Sequence, residues 1–185
     1  HKQGPQRDRR AMTPRSGSGG VNRRESLRIL DANFNRSREG LRVCEEITRF
    51  VLEDKRLTVQ IKKIRHSLSD CLKASGISLS ELLAARDVSS DVGKKSEPFE
   101  NPRAGRSDLF AANIERTKEA LRVLEETSKL TAPGLSPRFK KIRFSVYAIE
   151  KKILPRLEAV RDHGSECIQR PKPSSGGARG HRRRR

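Results

Sequence analysis

One helical segment occurs twice in this chain, and the duplication constrains the fold more than any other feature. The stretch REGLRVCEE at 38–46 returns as KEALRVLEE at 118–126. Aligning 33–49 with 113–129 gives identical residues at 8 of 17 positions. An internal repeat of this kind indicates one supersecondary unit used twice, with each copy unable to bury its apolar face alone. The identical pairs are Asn33/Asn113, Arg36/Arg116, Glu39/Glu119, Leu41/Leu121, Arg42/Arg122, Val43/Val123, Glu45/Glu125 and Glu46/Glu126.

A second helical pattern follows each copy. Apolar residues recur at spacings of 4, 3, 4 and 3, which is the stripe of an amphipathic helix that faces a core. The motif KKIR lies beside this stripe in both copies, at 62–65 and 140–143. Each copy is therefore a helical hairpin, and two such hairpins bury their stripes most simply as an all-α four-helix bundle. The stripes are Leu57, Ile61, Ile64, Leu68 and Cys71 in the first copy, and Leu135, Phe139, Ile142, Val146 and Ile149 in the second.

The repeats define the predicted domain. We expect one helical domain over 23–162, with repeat one at 23–74, a linker at 75–105 and repeat two at 106–160. The linker begins with the pattern of a short helix and then becomes a long loop. Long loops inside compact domains are often functional.

The charge is concentrated at the two ends of the chain. The formal net charge is +19, but 1–24 holds seven Lys or Arg against one Asp, and 161–185 holds eight against two acidic residues. The ends are also rich in Pro, Gly, Ser and Arg, which cannot bury enough apolar surface to offset chain entropy. We expect 1–22 and 163–185 to be disordered basic tails, and any binding of nucleic acid to depend on them.

Several classes of protein are disfavoured by the residues. No apolar run reaches the length of a membrane span, and no signal peptide opens the chain. Cys44, Cys71 and Cys167 lie far apart without C-x-x-C spacing, so neither a disulfide framework nor a zinc site is predicted, and reduced thiols in a cytoplasm are expected. The glycine-rich nucleotide-binding motifs and the protein-kinase motifs are absent from the sequence.

Two polar positions break the helical pattern in both copies. On a wheel of about 100° per residue, Asn33 and Arg36 fall within or beside the apolar arc of the first helix, and Asn113 and Arg116 do the same in the second copy. A buried Arg is costly unless an anion or a carboxylate pairs with it. These four residues are therefore candidates for either a structural or a functional role.

Two interpretations of these arginines remain open from the sequence. In one, Arg36 and Arg116 brace the bundle by pairing with Glu45, Glu46 or their repeats, because structural ion pairs are common. In the other, the duplication brings two N-x-x-R faces together around a dyad. Two guanidiniums would then form a cradle for phosphate oxygens, which the planar Arg fork binds bidentately.

The linker contains one further candidate, ARDVSSDVGK at 85–94. Asp, Ser and Gly in a loop usually form turns. Beside a phosphate cradle, however, Arg86 could contact phosphate. Asp87 and Asp91 could hold Mg²⁺, because this ion commonly takes one or two carboxylates together with substrate phosphates.

Four segments of the chain resemble a known family. RILDANFNRSREGLRVCEEITRF at 28–50, AARDVSSDVG at 84–93, AANIERTKEALRVLEE at 111–126 and FKKIRFSVYAIEKKIL at 139–154 are similar, in this order, to the small helical hydroxymethylpyrimidine-phosphate kinases of bacterial thiamine biosynthesis. These domains occur alone or fused ahead of thiamine-phosphate synthase. The resemblance covers about 24–160, which is nearly all of the predicted core.

The resemblance implies a reaction. It is the phosphorylation of 4-amino-5-hydroxymethyl-2-methylpyrimidine phosphate to the diphosphate, with ATP as co-substrate and Mg²⁺ as cofactor. Thiamine-phosphate synthase and a second copy of the chain are candidate partners.

The alternatives are an Arg-rich helical module that binds nucleic acid and a non-catalytic partner domain of the synthase. Together with the duplication, the assignment predicts Arg36, Arg116 and Arg86 as catalytic, Asn33, Asn113, Arg65 and Arg143 as substrate-binding, and Asp87 and Asp91 as metal ligands.

Overall fold

A computed structural model describes residues 22–89, 91 and 103–165, with side chains up to 160. Within these ranges all regular structure is helical, so the predicted all-α class is confirmed. The helices are α1 (Arg23–Phe50), α2 (Lys55–Lys73), α3 (Leu79–Ala85), α4 (Arg106–Thr131) and α5 (Ser136–Ser165), with a 3₁₀ turn at Pro133–Leu135 before α5.

Side-chain caps stabilise the N-termini of both helices in the first hairpin. The Asn22 side chain accepts a hydrogen bond from the Arg24 backbone N–H at 3.1 Å and caps α1. Asp54 caps α2 by accepting from the Leu57 N–H at 2.9 Å. Glu53, just before this cap, has φ of 51°, a left-handed conformation that reverses the chain in a short connection. These caps satisfy backbone N–H groups that a helix start otherwise leaves without partners.

The short helix α3 confirms that the linker begins as a helix. Its capping box is complete, because the Ser78 hydroxyl accepts from the Glu81 N–H and the Glu81 carboxylate accepts from the Ser78 N–H. Arg23 at the start of α1 also donates to Glu81 at 3.0 Å. The part of the linker at 92–102 lies outside the described residues, and so do 1–21 and 166–185, where the basic tails were predicted.

The four long helices form a closed bundle. α1 packs against α2 and α4, and α5 packs against α4 and α2. The α1/α4 and α2/α5 interfaces therefore lie on opposite sides of the bundle. Equivalent residues of the two repeats are buried to the same extent, since Leu41 and Leu121 are both fully buried. Ser37 and Thr117 are buried too, and each donates its hydroxyl to a backbone carbonyl four residues earlier at 2.8 Å.

The lengths of the helices bear on two expectations from the sequence. α5 continues to Ser165, so the predicted domain end at residue 162 falls inside a helix. The described helices include none long and apolar enough to cross a membrane.

Candidate active site

The two copies of the repeated helix touch at Gly40. A Cβ on Gly40 would lie 2.4 Å from Thr117 Oγ1 and 2.7 Å from the backbone oxygen of Asn113. Neither distance can be accommodated without movement, so only glycine allows α1 and α4 to approach this closely. This approach brings the polar faces that both copies of the repeat share to one place.

A cleft of about 530 Å³ opens beside this contact. Its volume lies in the range of small-molecule sites, which is about 300–1,000 Å³. Four equivalent pairs from the repeat alignment contribute to its lining, and Val123 of the second copy completes it. The lining residues are Asn33, Arg36, Glu39, Gly40, Asn113, Arg116, Glu119, Ala120 and Val123. The structure thus brings together both predicted N-x-x-R faces.

The two asparagines are fixed in the same way. Asn33 Nδ2 donates to the backbone oxygen of Ile29 at 2.9 Å, and Asn113 Nδ2 donates to that of Leu109 at 2.8 Å. Each amide is thereby tied to its own helix. Within the described residues neither side chain makes another hydrogen bond, so the second N–H and the amide oxygen of each can serve a ligand in the cleft as donor and acceptor.

Arg36 and Arg116 are both exposed at the cleft, whereas the helical wheel places them within or beside the buried arc. The difference arises because this arc lines an open cleft rather than the closed core. No carboxylate of the described residues forms an ion pair with Arg36. Glu46, a partner predicted by the bracing hypothesis, pairs instead with Arg42.

The buried glutamates of the two copies have different partners from those predicted. Arg65 Nε donates to Glu45 at 3.0 Å, and Arg143 donates to Glu125 at 2.7 and 3.1 Å. The glutamate side chains are only 7% and 6% exposed. The hydrogen bond that Arg143 donates to the Glu125 carboxylate raises the pKa of Arg143 above its ordinary value.

Arg65 and Arg143 do not line the α1/α4 cleft. Their described contacts are those of equivalent ion pairs that join the two helices of each hairpin. Their predicted role in substrate binding therefore remains a prediction, and the observed geometry is that of bracing residues.

A second cavity of about 490 Å³ adjoins the first and shares Asn33 and Arg36 with it. Arg86, Asp87 and Asp91 line it, so the structure brings the linker motif next to Arg36.

Arg86 is held in this cavity by Asp31. It donates to the Asp31 carboxylate through Nε at 2.6 Å and Nη2 at 2.7 Å. This bidentate pair raises the pKa of Arg86 and anchors the end of α3 to α1. Asp31 is buried and was not predicted from the sequence. In the structure the Arg86 guanidinium is bound to this carboxylate rather than directed to an empty part of the cavity. Its catalytic role stays a prediction.

Asp87 makes a turn contact. Its Oδ1 accepts from the Ser89 backbone N–H and from the Ser89 hydroxyl, both at 3.2 Å. Asp91 is exposed at the same cavity. Among the described residues there is no cluster of three metal-ligating side chains. The pair of carboxylates fits Mg²⁺ only where phosphate oxygens and water complete the coordination, which is the usual arrangement for this ion.

Some lining residues were missed from the sequence. Glu39, Glu119, Gly40 and Ala120 are not among the candidates that the sequence offers. A signal was present, because Glu39 is repeated identically as Glu119 and lies three residues after Arg36 on the same helix face. Extending each N-x-x-R face by one turn would have found all four.

Comparison with known proteins gives consistent matches. The ThiD2 family matches residues 28–152. A thiamine-phosphate synthase of Synechocystis sp. is 41% identical over 144 residues, covering 77% of this chain and 38% of that protein. A thiamine-phosphate synthase of Thermosynechococcus vestitus is 43% identical over 125 residues, covering 67% of this chain and 34% of that protein. A thiamine-phosphate synthase of Rhodopirellula baltica is 39% identical over 147 residues, covering 79% of this chain and 39% of that protein.

The chain therefore spans less than two fifths of the length of these curated relatives. No solved structure gives a significant match.

Proposed function

Because the chain belongs to the ThiD2 family, we propose that it acts in thiamine biosynthesis as a kinase. The substrate is 4-amino-5-hydroxymethyl-2-methylpyrimidine phosphate, the phosphoryl donor is ATP and the product is the pyrimidine diphosphate. The relatives that share its sequence are thiamine-phosphate synthases, which supports the pathway.

The observation that carries this proposal is the meeting of the two N-x-x-R faces in one cleft. The accepting group is already a phosphate, so the protein needs no strong base. It must chiefly hold two anionic groups in line and offset their repulsion, since positioning and electrostatics dominate phosphoryl transfer. Arg36 and Arg116 come from equivalent positions on α1 and α4 and both line the cleft, so each can contact a phosphate.

The acidic pair in the cleft suits the other end of the substrate. Glu39 and Glu119 supply carboxylate oxygens, which accept hydrogen bonds. The pyrimidine carries an amino group that donates. The amides of Asn33 and Asn113 can donate to or accept from the ring. The cleft thus offers cations for phosphate and acceptors for an amine.

Mg²⁺ would be held by Asp87 and Asp91 together with phosphate oxygens. When bound, it would neutralise charge on the phosphates. Both carboxylates line the cavity that contains Arg36, so metal and cradle would act on the same phosphate groups. Arg86, whose guanidinium remains on Asp31, would keep the linker in place for these two residues.

A direct assay tests the proposal. The purified chain is incubated with ATP, Mg²⁺ and the pyrimidine monophosphate, and the products are separated by anion exchange. We expect the pyrimidine diphosphate and ADP in equal amounts. Omission of ATP, and replacement of the monophosphate by the unphosphorylated pyrimidine, are the controls. A folded protein that forms no diphosphate would contradict the kinase assignment.

A non-catalytic partner domain is the second candidate. It is favoured by one observation, namely that more than three fifths of each synthase relative lies outside the match. In that case the cleft would bind the pyrimidine phosphate without turnover. Substrate binding by calorimetry, combined with no product in the kinase assay, would establish this alternative.

A further inference from the structure

The bundle has a second groove formed by equivalent residues, on the side opposite the α1/α4 cleft. It lies between α2 and α5 and has a volume of about 360 Å³. Three pairs that line it are equivalent in the repeat, because the KKIR motifs meet there. The lining residues are Lys63, Ile64, Ser67, Cys71, Arg138, Lys141, Ile142 and Ser145.

The groove is lined by cations and by no carboxylate. Lys63, Lys141 and Arg138 are exposed. None of the three forms an ion pair with a carboxylate in the part of the chain that the structure describes. The arginines of the same KKIR motifs behave differently, since Arg65 and Arg143 are neutralised by buried glutamates. Positive charge therefore accumulates on one face. Because the site is concave, its walls strengthen the positive electrostatic potential inside the groove.

The floor of the groove is apolar and uncharged. Ile142 and Cys71 are buried there, and Ile64 packs against the core. Burial raises the pKa of the Cys71 thiol, although the Arg138 guanidinium opposes the shift, so the thiol stays neutral at physiological pH. Ser67 and Ser145 place one hydroxyl from each repeat beside the lysines, and the Ser145 hydroxyl is directed to the Lys141 backbone oxygen at 3.1 Å.

We propose that the α2/α5 groove binds a small multivalent phosphate anion, of the diphosphate or phosphate-ester class. Lys63 approaches from the α2 wall, and Lys141 and Arg138 approach from the α5 wall, so that cations contact the anion from both sides. The Ser67 hydroxyl can donate a further hydrogen bond to it. Since the two walls belong to different repeats, a bound anion joins them and stabilises the bundle. The site is separate from the α1/α4 cleft and does not depend on the function proposed for it.

The KKIR motifs supply a matched control for the test. The probe is inorganic pyrophosphate, titrated calorimetrically into the full chain. A background variant with Arg36→Gln and Arg116→Gln removes binding at the α1/α4 cleft. In that background, Lys63→Gln with Lys141→Gln should weaken pyrophosphate binding at least about tenfold, because two charge-assisted contacts are lost. Lys62→Gln with Lys140→Gln removes the same charge from adjacent exposed positions that do not line the groove, and should leave the affinity nearly unchanged.

The proposal is overturned if the Lys63/Lys141 variant binds pyrophosphate as tightly as its background. It is also overturned if both double variants weaken binding equally, because diffuse attraction to a basic surface would then explain the result. A second measurement uses the unsubstituted chain and needs no variant to fold. Backbone amide resonances of Lys63, Ser67, Lys141 and Ser145 should shift on titration with pyrophosphate. Shifts spread over all exposed lysines instead would also exclude the groove as a site.

Discussion

Gly40 faces Thr117 across the α1/α4 contact with no room for a side chain, since a Cβ would lie 2.4 Å from Thr117 Oγ1. The rotation of that hydroxyl would not relieve the clash, because a backbone oxygen of Asn113 lies 2.7 Å from the same Cβ position. The two helices would have to separate. The cleft is built beside this contact, so its width depends on the absence of one methyl group.

Gly40→Ala should therefore lower the free energy of unfolding by about 1–3 kcal/mol, the usual effect of forcing an extra methyl into a packed interface. Urea unfolding measures the change. Gly134→Ala is the matched control, because a Cβ at Gly134 meets nothing within 4 Å and the stability should be unchanged or slightly raised. Equal stability of the two variants would show that α1 and α4 are not as close as the structure places them.

The equivalent ion pairs predict a second loss of stability. Glu125→Ala leaves Arg143, whose side chain is 11% exposed, without its carboxylate. Removing one member of a buried pair typically costs about 3 to 5 kcal/mol, and we expect a loss in this range by urea unfolding. Asp70→Ala is the control, because the Asp70–Lys73 pair lies at the surface and contributes little. A small effect of Glu125→Ala would mean that water replaces the carboxylate.

Much of the fold could be predicted from local pattern. The stripe that contains Ile61 and Leu68 gives the buried face of α2, and both residues are fully buried. The duplication pairs Leu41 with Leu121, which are equally buried. The spacing of apolar residues shows which face of a helix is apolar. Because each hairpin must cover that face, two hairpins are expected to pack as a bundle.

The partners of the charged residues could not be predicted in this way. Arg86 binds Asp31 over a separation of 55 residues, and Glu45 binds Arg65 rather than Arg36. Such choices depend on the rotation and crossing of helices, which amphipathicity specifies only within tens of degrees. The lining of the α1/α4 cleft was easier to anticipate, because the repeat copies its polar exceptions as well as its core.

The capping of α3 predicts a dependence on pH. The backbone N–H of Ser78, followed by Arg23, lowers the pKa of Glu81 from 4.5 to about 2. Because the folded-state pKa is lowered, this contact stabilises α3 fully above pH about 4.5 and is lost as the pH falls toward about 2. The protection factors of the α3 amides against hydrogen exchange should fall as the pH falls through this window. Glu81→Gln should abolish the transition, and an identical pH profile in that variant would contradict the assignment.

The proposed metal ligands can be separated from turn residues. Asp87→Asn keeps an amide oxygen that can accept from the Ser89 N–H and hydroxyl, so the turn should survive while the charge is lost. If Asp87 and Asp91 hold Mg²⁺, either Asp→Asn variant should need a higher Mg²⁺ concentration for half-maximal kinase activity. Asp70→Asn, on the exposed side of α2, is the control. An unchanged Mg²⁺ response in both variants would assign these residues to the turn alone.

The last prediction tests the cradle itself. Arg36→Lys or Arg116→Lys keeps the charge but removes the planar fork that binds phosphate through two hydrogen bonds. Turnover should fall roughly tenfold or more, which corresponds to about 1.4 kcal/mol of transition-state stabilisation. Both arginines are exposed, so the melting temperature should change little. Arg42→Lys is the control, because Arg42 lies on the same helix and pairs with Glu46 away from the cleft.

The comparison of the two single variants has a further use. A site shared by both repeats requires Arg36 and Arg116 alike, so each variant alone should lose activity. A site in one half would leave the other arginine replaceable. A bracing role predicts a different outcome, in which Arg→Ala lowers stability by about 3 to 5 kcal/mol, as for a broken buried pair. Full activity in both Arg→Lys variants would exclude the phosphate cradle even if the kinase reaction were observed, because phosphate binding would then not depend on either guanidinium.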